Sequence, residues 1–573
     1  MINKNKTYEK SPVVFTNKAK CRDCNRCVRV CPVYAIKIKD GQANVVPERC
    51  IACGTCITEC PQGAKSFLGN VEKVLNFIDN NENLFASIAP SFVAYFSPWE
   101  QSRIASTLRK IGFKWVSETA IGASYVAKES EEYIKSNPES SHITTACPAI
   151  VNYIEIYRHE FVNDLVPVVS PMIAHARLLK KQHGFSSKVV FIGPCIAKKD
   201  EAQRPEYAGL VDAVLTFSEL RELIDRKYIK LSECEESLFD EFPDENSRLF
   251  PIEGGLLRTA GIETDILNSK SIAISGFSRF NDAIDTLDEN KSMHLTIEPL
   301  FCEYGCINGP DIRHKKSYFL SRHKILAYNN LMQNNITQIS EKIKLNGKYN
   351  CRQNPKTEYT VEQINEVFRK SGKLNPEDQQ NCGACGYKNC TEKAIAVLEG
   401  LAEPEMCIPY MKRLAERKND LILQTDPNGI VILNNDLEII QINKAFEKMF
   451  SCSETILGRK ISYLLDPEPF EVLVSGIETE IHQKVKYPNY NLICHQIVYK
   501  LEQENQFVGI FVNITDSENS EAKLKNIKTD TILQAEELID HQVKMAQELV
   551  RFLGENTAKG EALLTRLINA IEK

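Results

Sequence analysis

Cys21-x2-Cys24-x2-Cys27-x3-Cys31-Pro32, answered by Cys50-x2-Cys53-x2-Cys56-x3-Cys60-Pro61, is the stretch that decides how this chain is read. Thiolates so closely spaced let one loop wrap three corners of an iron–sulfur cube. Each run ends in a proline, which lacks an N–H, fixes φ and turns the chain away. Paired Cys-x2-Cys sites also hold zinc. Two octets with matching Cys-Pro ends favour clusters over zinc, so the rest of the chain is read as part of something that trades electrons.

A length of 573 residues predicts roughly three to five domains. Hydrophobic content of 43% and charged content of 25% are ordinary for globular protein. A net charge of −6 gives no basic footprint for nucleic acid. Met1 to Lys6 leads into no apolar export segment, and no apolar run reaches 18 residues, so no membrane association and a cytoplasmic location are expected. Twenty cysteines without a signal argue for metal ligation in a reducing compartment. The oxygen sensitivity of exposed clusters points to an anaerobe.

The octets resemble two-cluster bacterial ferredoxins, in which the fourth cysteine of each run ligates the other cluster. That resemblance assigns Cys21, Cys24, Cys27 and Cys60 to one 4Fe–4S cluster, and Cys50, Cys53, Cys56 and Cys31 to the second.

Beyond Pro61, an amphipathic stretch over Val71 to Ile78 precedes Phe85-Ala86-Ser87-Ile88-Ala89-Pro90-Ser91, an apolar run that predicts a buried strand and a loop. Helical-period segments then alternate with β-branched runs such as Lys188 to Gly193 and Ala213 to Thr216. This predicts an α/β region with largely parallel strands and ligands at their carboxyl ends. Three cysteine loops follow: Thr144-Thr145-Ala146-Cys147-Pro148, Gly193-Pro194-Cys195-Ile196-Ala197-Lys198-Lys199-Asp200-Glu201, and Glu298 to Pro310 with Cys302 and Cys306. A single buried cysteine is usually a small hydrophobe. Four of them downstream of a ferredoxin pattern read as one more cube.

The order of these motifs resembles the FeFe (iron-only) hydrogenases. The resemblance implies that Cys147, Cys195, Cys302 and Cys306 hold the 4Fe–4S part of an H-cluster. Cys306 would bridge to a two-iron subcluster carrying CO, cyanide and a dithiolate amine. Lys198 matches the lysine that hydrogen-bonds one cyanide, and Ala89-Pro90-Ser91 the loop that cradles the other, so Pro90, Ser91 and Lys198 are expected to bind the cofactor. Cys306, Lys198, Ser91 and position 146 form the expected catalytic set. Position 146 departs from the pattern: fast members have a proton-relaying cysteine there, and this chain has Ala146, whose methyl can neither donate nor accept a proton. Gly193 and Leu300 replace methionines that pack on the two-iron unit. The acidic relay helix corresponds loosely to Ala127 to Tyr133 without matching glutamates, which leaves Glu131, Glu132 or Glu303 as substitute routes. Slow turnover with intact cluster binding is the expectation.

Cys382-x2-Cys385-x4-Cys390 and Cys407 follow a Pro/Asn-rich connection near Asn354-Pro355. Gly383 and Gly386 permit a tight path between ligands, and Lys393 to Gly400 reads as helix. The pattern resembles a small 4Fe–4S domain, with zinc as the alternative. Cys234, Cys351, Cys452 and Cys494 are left unassigned.

Cluster motifs then stop. Leu421 to Asp426, the turn Pro427-Asn428-Gly429 and Ile430 to Leu433 predict a β-hairpin. Ile439 to Asn443 leads into a helix over Lys444 to Phe450, and strands are expected over Asn491 to Leu501 and Phe507 to Val512, closing on Ile514-Thr515-Asp516. This resembles a PAS domain, with His482 or His495 as candidate haem ligands. An apolar stripe through Leu524, Ile527, Ala535, Leu538, Met545, Leu549 and Phe552 predicts a coiled coil or a helix packed on its own PAS domain. Gly554 and Gly560 are expected to break it before a short final helix.

The expected fold is multidomain α/β. Its parts are a ferredoxin-like two-cluster domain over 1–78, a two-lobed α/β H-cluster domain over 79–345 and a small 4Fe–4S domain over 346–412. An α+β PAS domain over 413–520 and C-terminal helices over 521–573 complete it. The expected activity is that of a slow, hydrogen- or redox-sensing hydrogenase with three 4Fe–4S clusters and an H-cluster. Hydrogen, protons, a redox partner such as ferredoxin and a signalling protein are its expected partners, with a homodimer through the PAS or terminal helix. The alternatives are a metabolic ferredoxin-linked hydrogenase and a non-catalytic iron–sulfur electron-transfer or assembly protein.

Overall fold

Short β-branched runs between helices pair here into two parallel sheets, in agreement with the alternation of the sequence. The structure, a computed structural model, describes residues 12–571 apart from 245, 266–268, 291, 313–316, 332–340, 353–357, 374, 502–503 and 516–523. The connection at Asn354-Pro355 and the terminal Asp516 lie outside the described residues. The chain divides into two compact units, Met1–Tyr410 and Met411–Lys573.

In the first unit, Phe113–Glu118, Leu84–Ile88, Lys188–Ile192 and Ala213–Leu215 form a four-stranded parallel sheet in that order. Ser271–Ser275, Thr296–Leu300 and His142–Ile143 form a three-stranded parallel sheet. Every residue of Leu84–Ile88 and of Thr296–Leu300 is buried, as strands covered by helices on both faces require. Ile88, Phe92, Val116, Leu179 and Val190 belong to the core around the first sheet, and Ile143, Ile150, Phe280 and Ile297 to that around the second. The amphipathic stretch after the octets is the helix Val71–Asp79. The octets lie among two small antiparallel pairs, Val14–Thr16 with Lys65–Phe67 and Ile36–Lys39 with Gln42–Val45.

In the second unit, five antiparallel strands run in the order Ile439–Ile442, Gly429–Leu433, Gln506–Asn513, Leu492–Leu501 and Glu480–Tyr487. Asn443 caps the helix Lys444–Met449: its Oδ1 accepts from Phe446 N at 2.9 Å and from Ile430 N at 2.8 Å. One sheet face packs on Phe446, Phe450, Phe470 and Phe511, together with the fully buried Cys494.

Three expectations are corrected. Leu421 to Thr425 is no hairpin strand but the end of the helix Ile408–Thr425, whose Leu423 packs on the outer face of the sheet. Gly554 and Gly560 interrupt nothing: Leu524–Ile571 is one helix, in which Ala535 is buried and Ile539 packs on that same outer face. His495 lies one residue from the core-facing Cys494 and so points to the outer face, where its ring stands 6.0 Å from that of His482. Neither histidine enters the aromatic core as a haem ligand would.

Candidate metal centres and active site

The two octets trace the same backbone path. Asp23 and Asn25 in the first, and Ala52 and Gly54 in the second, have positive φ, as do Tyr34 and Gly63 after each closing proline. Left-handed residues at matched positions curl each loop inward. The short helices Arg26–Val30 and Thr55–Thr58 carry Cys27 and Cys56. The thiol of Cys27 interacts electrostatically with those of Cys24, Cys21 and Cys60, and that of Cys56 with Cys53, Cys50 and Cys31. The fourth cysteine of each octet therefore sits with the first three of the other. Backbone N–H groups donate to sulfur from Ala35 to Cys31 at 3.2 Å, from Ala52 to Cys50 at 3.4 Å and from Ala64 to Cys60 at 3.3 Å. Burial pushes Cys27 up to about 11 and Cys50 up to about 12. Bare thiolates are disfavoured in such a place, and a bound metal supplies the positive charge that offsets this.

Three loops bring together the next four thiols. Cys147 caps the helix Pro148–Tyr157 after the strand His142–Ile143. Cys195 follows Lys188–Ile192, and Cys302 and Cys306 follow Thr296–Leu300. All three loops leave the carboxyl ends of parallel strands, where open α/β sheets bind ligands. Cys306 interacts with Cys195 and Cys147; Cys302 interacts with Cys306, Cys195 and Cys147, and with Cys53 of the second octet. Gly54 makes that approach close. A Cβ there would lie 2.7 Å from Pro310 Cγ and 3.1 Å from Ile196 Cγ1, at a φ of +81°.

Around these thiols stand the other expected residues. Lys198 is 8% exposed, and its Nζ donates to Glu201 Oε2 at 2.8 Å and to the Ala146 carbonyl at 3.3 Å. Its charge acts on Cys147, Cys195 and Cys306. The Ala89-Pro90-Ser91 loop is buried and adjoins the Cys195 loop through Ala89 N, which donates to Ile192 O at 2.8 Å. Ser91 Oγ is buried without a hydrogen-bond partner, as is Thr144 Oγ1. Buried hydroxyls are rarely left so. Four thiols, a buried ammonium and unpartnered hydroxyls fit a metal group carrying anionic ligands. At Gly193 a Cβ would lie 2.8 Å from the Phe191 ring and 3.0 Å from Ala89 Cβ, so a methionine has no room there. Leu300 is buried in the second core. Ala146 presents only a half-buried methyl.

Of the substitute glutamates, Glu303 lines a cavity together with Cys302 and Cys53. Glu131 pairs with Lys135 on an exposed helix face, Glu132 is exposed beside it, and Glu303 is exposed in its loop. Sequence reasoning placed Glu298 at the head of the third loop but gave it no role. This carboxyl is 2% exposed on the strand Thr296–Leu300 and accepts from Leu256 N at 3.1 Å and Leu257 N at 2.9 Å. Burial pushes it up to about 7, with Glu253 adding to the rise, and it interacts with Cys306. Glu253 is exposed and accepts from Ser275 Oγ, to which Tyr304 N donates at 3.1 Å. Glu298 thus lies within electrostatic reach of Cys306 on one side and of the exposed Glu253, which holds the Ser275 hydroxyl, on the other. The available signal was a lone carboxylate within an otherwise apolar strand.

The last group gathers Cys382, Cys385, Cys390 and Cys407 in the wall of one cavity. Cys390 opens the helix Cys390–Leu398, and Gly383 and Gly386 have φ of +68° and +99°. Of the unassigned cysteines, Cys234 and Cys494 are buried, Cys452 is half-buried and Cys351 is exposed. Among the described residues no three His, Cys, Asp or Glu side chains converge as one metal ion requires. A zinc ion draws its sulfurs to ~2.3 Å, whereas a cube takes them at separate corners. Among those residues, too, no helix is long and apolar enough to cross a membrane.

Residues 82–310 match the family described as iron only hydrogenase large subunit, C-terminal domain. Residues 13–61 match a 4Fe-4S dicluster domain, 378–409 a family described as an Fe-S cluster, and 422–483 a PAS domain. Iron hydrogenase 1 of Clostridium pasteurianum is 28% identical over 52% of this chain and 65% of its own length. The periplasmic Fe hydrogenase large subunit of Nitratidesulfovibrio vulgaris is 27% identical over 52% of this chain and 86% of its own. The cytosolic Fe-S cluster assembly factor NAR1 of Vanderwaltozyma polyspora is 30% identical over 32% of this chain and 39% of its own. A solved variant of the FeFe-hydrogenase HydA1 from Chlamydomonas reinhardtii is 18% identical, with a TM-score of 0.40, over 50% of this chain and all of its own. Residues 82–310 are thus similar to the iron-only hydrogenase large-subunit family, with a match to a 4Fe-4S dicluster domain before that region and to a PAS domain after it.

Proposed function

We propose that the chain is a slow FeFe hydrogenase that interconverts hydrogen with two protons and two electrons and reports the outcome through its PAS module. The observation that carries this is the quartet Cys147, Cys195, Cys302 and Cys306, drawn from three strand ends beside Lys198 and the unpartnered Ser91 Oγ. When bound, an H-cluster supplies the two-electron chemistry of hydrogen. The chain's own residues would hold and serve it: the four cysteines as ligands, Cys306 among them on the side of the two-iron part, Lys198 as a charge-assisted donor, and Ala89-Pro90-Ser91 as the opposite wall. Phe191 and Leu300 exclude water where methionines stand in faster relatives. Electrons leave on the side where Cys302 meets Cys53. We assign the proton route to Glu298, the buried acid whose charge acts on Cys306, and beyond it to the exposed Glu253, because Ala146 offers no donor.

Likeness to a protein named as an assembly factor favours a second reading, in which the chain holds cubes only. Infrared spectroscopy under hydrogen separates the two. Bands of metal-bound CO and cyanide that shift with hydrogen support the proposal; their absence in protein from its native host, with iron sufficient only for cubes, overturns it.

A further inference from the structure

Two ammonium groups face the last thiol quartet. Lys373 is 7% exposed and Lys393 is 4% exposed. Lys373 Nζ donates to Cys390 Sγ at 2.8 Å, and its charge acts also on Cys407 and Cys385. Lys393 Nζ donates to Pro404 O at 2.8 Å, and its charge acts on the same two thiols. Both lysines line the cavity whose wall holds all four cysteines. The neighbouring carboxylates, Asp378 and Glu405, are solvent-accessible and therefore screened. The octets are served differently: Lys65 acts on their thiols, but its Nζ donates to Thr16 Oγ1 at 2.6 Å and Ala43 O at 3.2 Å.

This quartet sits directly against the first octet. Arg29 spans them, donating from Nη2 to Cys24 O at 2.6 Å and from Nη1 to Ala384 O at 3.1 Å. Tyr34 stacks on Tyr387 with ring centroids 5.2 Å apart. At Gly386 a Cβ would come within 3.0 Å of Val28 Cγ1 and 3.2 Å of Arg29 N, so the contact needs glycine.

Reducing a cluster adds one negative charge to it. Fixed positive charge in a low-dielectric wall, and a hydrogen bond to a ligating sulfur, both favour that more negative state and raise the reduction potential. We propose that Lys373 and Lys393 make the Cys382–Cys385–Cys390–Cys407 cluster hold an electron more tightly than the first-octet cluster does, so that an electron drawn from hydrogen comes to rest there. The step is an outer-sphere transfer: the first-octet cluster is oxidised by one electron, this cluster is reduced by one, and no bond is made or broken. The inference rests on the reading of these four thiols as a 4Fe–4S site.

The test is a redox titration of the full-length protein followed by electron paramagnetic resonance, with iron counted per chain. Cys385→Ser identifies the signal. If it removes no signal and no iron from the native complement, the cluster reading itself fails. With the signal identified, it is expected to appear before those of the octets on stepwise reduction. Lys373→Met lowers its midpoint by about 59 mV or more, a tenfold loss in reduced-to-oxidised ratio at fixed potential. Lys373→Arg keeps the midpoint near native. An unchanged midpoint in Lys373→Met, or a signal that appears after those of the octets, overturns the proposal. Should Lys373→Met lose the cluster, Lys393→Met carries the same measurement, since that ammonium bonds no sulfur; cluster loss in both variants assigns the lysines a structural role and overturns the proposal equally.

Discussion

The proposed catalytic pocket is approached from two sides that are built very differently. On the electron side the second octet presses Cys53 towards Cys302, with Gly54 against Pro310 and Ile196, and two further thiol quartets stand behind it. On the proton side stand the methyl of Ala146 and one buried carboxyl, Glu298, with Glu253 and Ser275 beyond. Electrons cross gaps between clusters, whereas a proton needs donors and acceptors within hydrogen-bond reach. If the chain turns hydrogen over as proposed, the contrast predicts that protons, not electrons, set the rate.

The most damaging single change should therefore lie on the proton side. Glu298→Gln keeps the shape and removes the acid, at the loss of one of the two backbone hydrogen bonds, because Leu256 N and Leu257 N donate to different carboxyl oxygens and an amide nitrogen cannot accept. Dye-linked hydrogen turnover should fall ~10²–10⁴-fold, with cluster signals unchanged. A loss of less than twofold would transfer the proton route elsewhere. In the opposite direction, Ala146→Cys restores a donor beside the pocket. A gain approaching the ~10²-fold end of that range is expected, and no gain would mean that electrons limit the rate after all.

Proton control also predicts a pH signature. Glu298 stands at about 7, raised from its ordinary 4.5 chiefly by burial. Above pH 7 its acid form falls roughly tenfold per unit, so proton reduction should fall with it, while hydrogen oxidation loses its acceptor below pH 7. Stability moves in a definable direction as well. The folded chain keeps a proton that the unfolded chain releases, so the contribution is complete below 4.5 and is lost as pH rises through about 7. At 1.36 kcal/mol per unit this loss is at most about 3 kcal/mol. Chemical denaturation at pH 5 and pH 9, in native protein and in Glu298→Gln, measures it: the variant should lack that component.

The same contrast governs how much was legible in the sequence. The electron side is written in ligand spacing, a local property, and the octets, the three pocket loops and the strands at 188–192 and 213–215 were readable from it. The proton side depends on burial, which spacing does not report: Glu298 looks like any strand carboxylate until helices cover it. Elsewhere, tertiary packing overrode local signals. Leu421 to Thr425 is β-like in composition, yet Leu423 finds its partner on the sheet as part of a helix. Gly554 and Gly560 each cost a helix ~1 kcal/mol against alanine, which good helix formers around them outweigh. The strand Glu480–Tyr487 went unseen because it lies at the sheet edge, where its inward face of Ile481, Gln483, Val485 and Tyr487 is only half-buried and alternates with exposed polar residues.

The smallest effect should come from the electron side. Gly54→Ala adds one methyl at a φ of +81°, 2.7 Å from Pro310 Cγ. Left-handed strain of about 1 kcal/mol and overpacking of ~1–3 kcal/mol together should lower the melting temperature of the first unit. The matched position in the first octet, Asn25, is already left-handed with a side chain, so Asn25→Ala tests strain without the Pro310 contact and should cost less. If protons limit turnover, Gly54→Ala leaves the dye-linked rate within about twofold of native despite its lower stability, since a well-oriented acid is worth ~10²–10⁴ and the variant leaves that acid in place. A rate that falls in step with the melting temperature would show instead that the seam between Gly54 and Pro310, not Glu298, is where this molecule is slow.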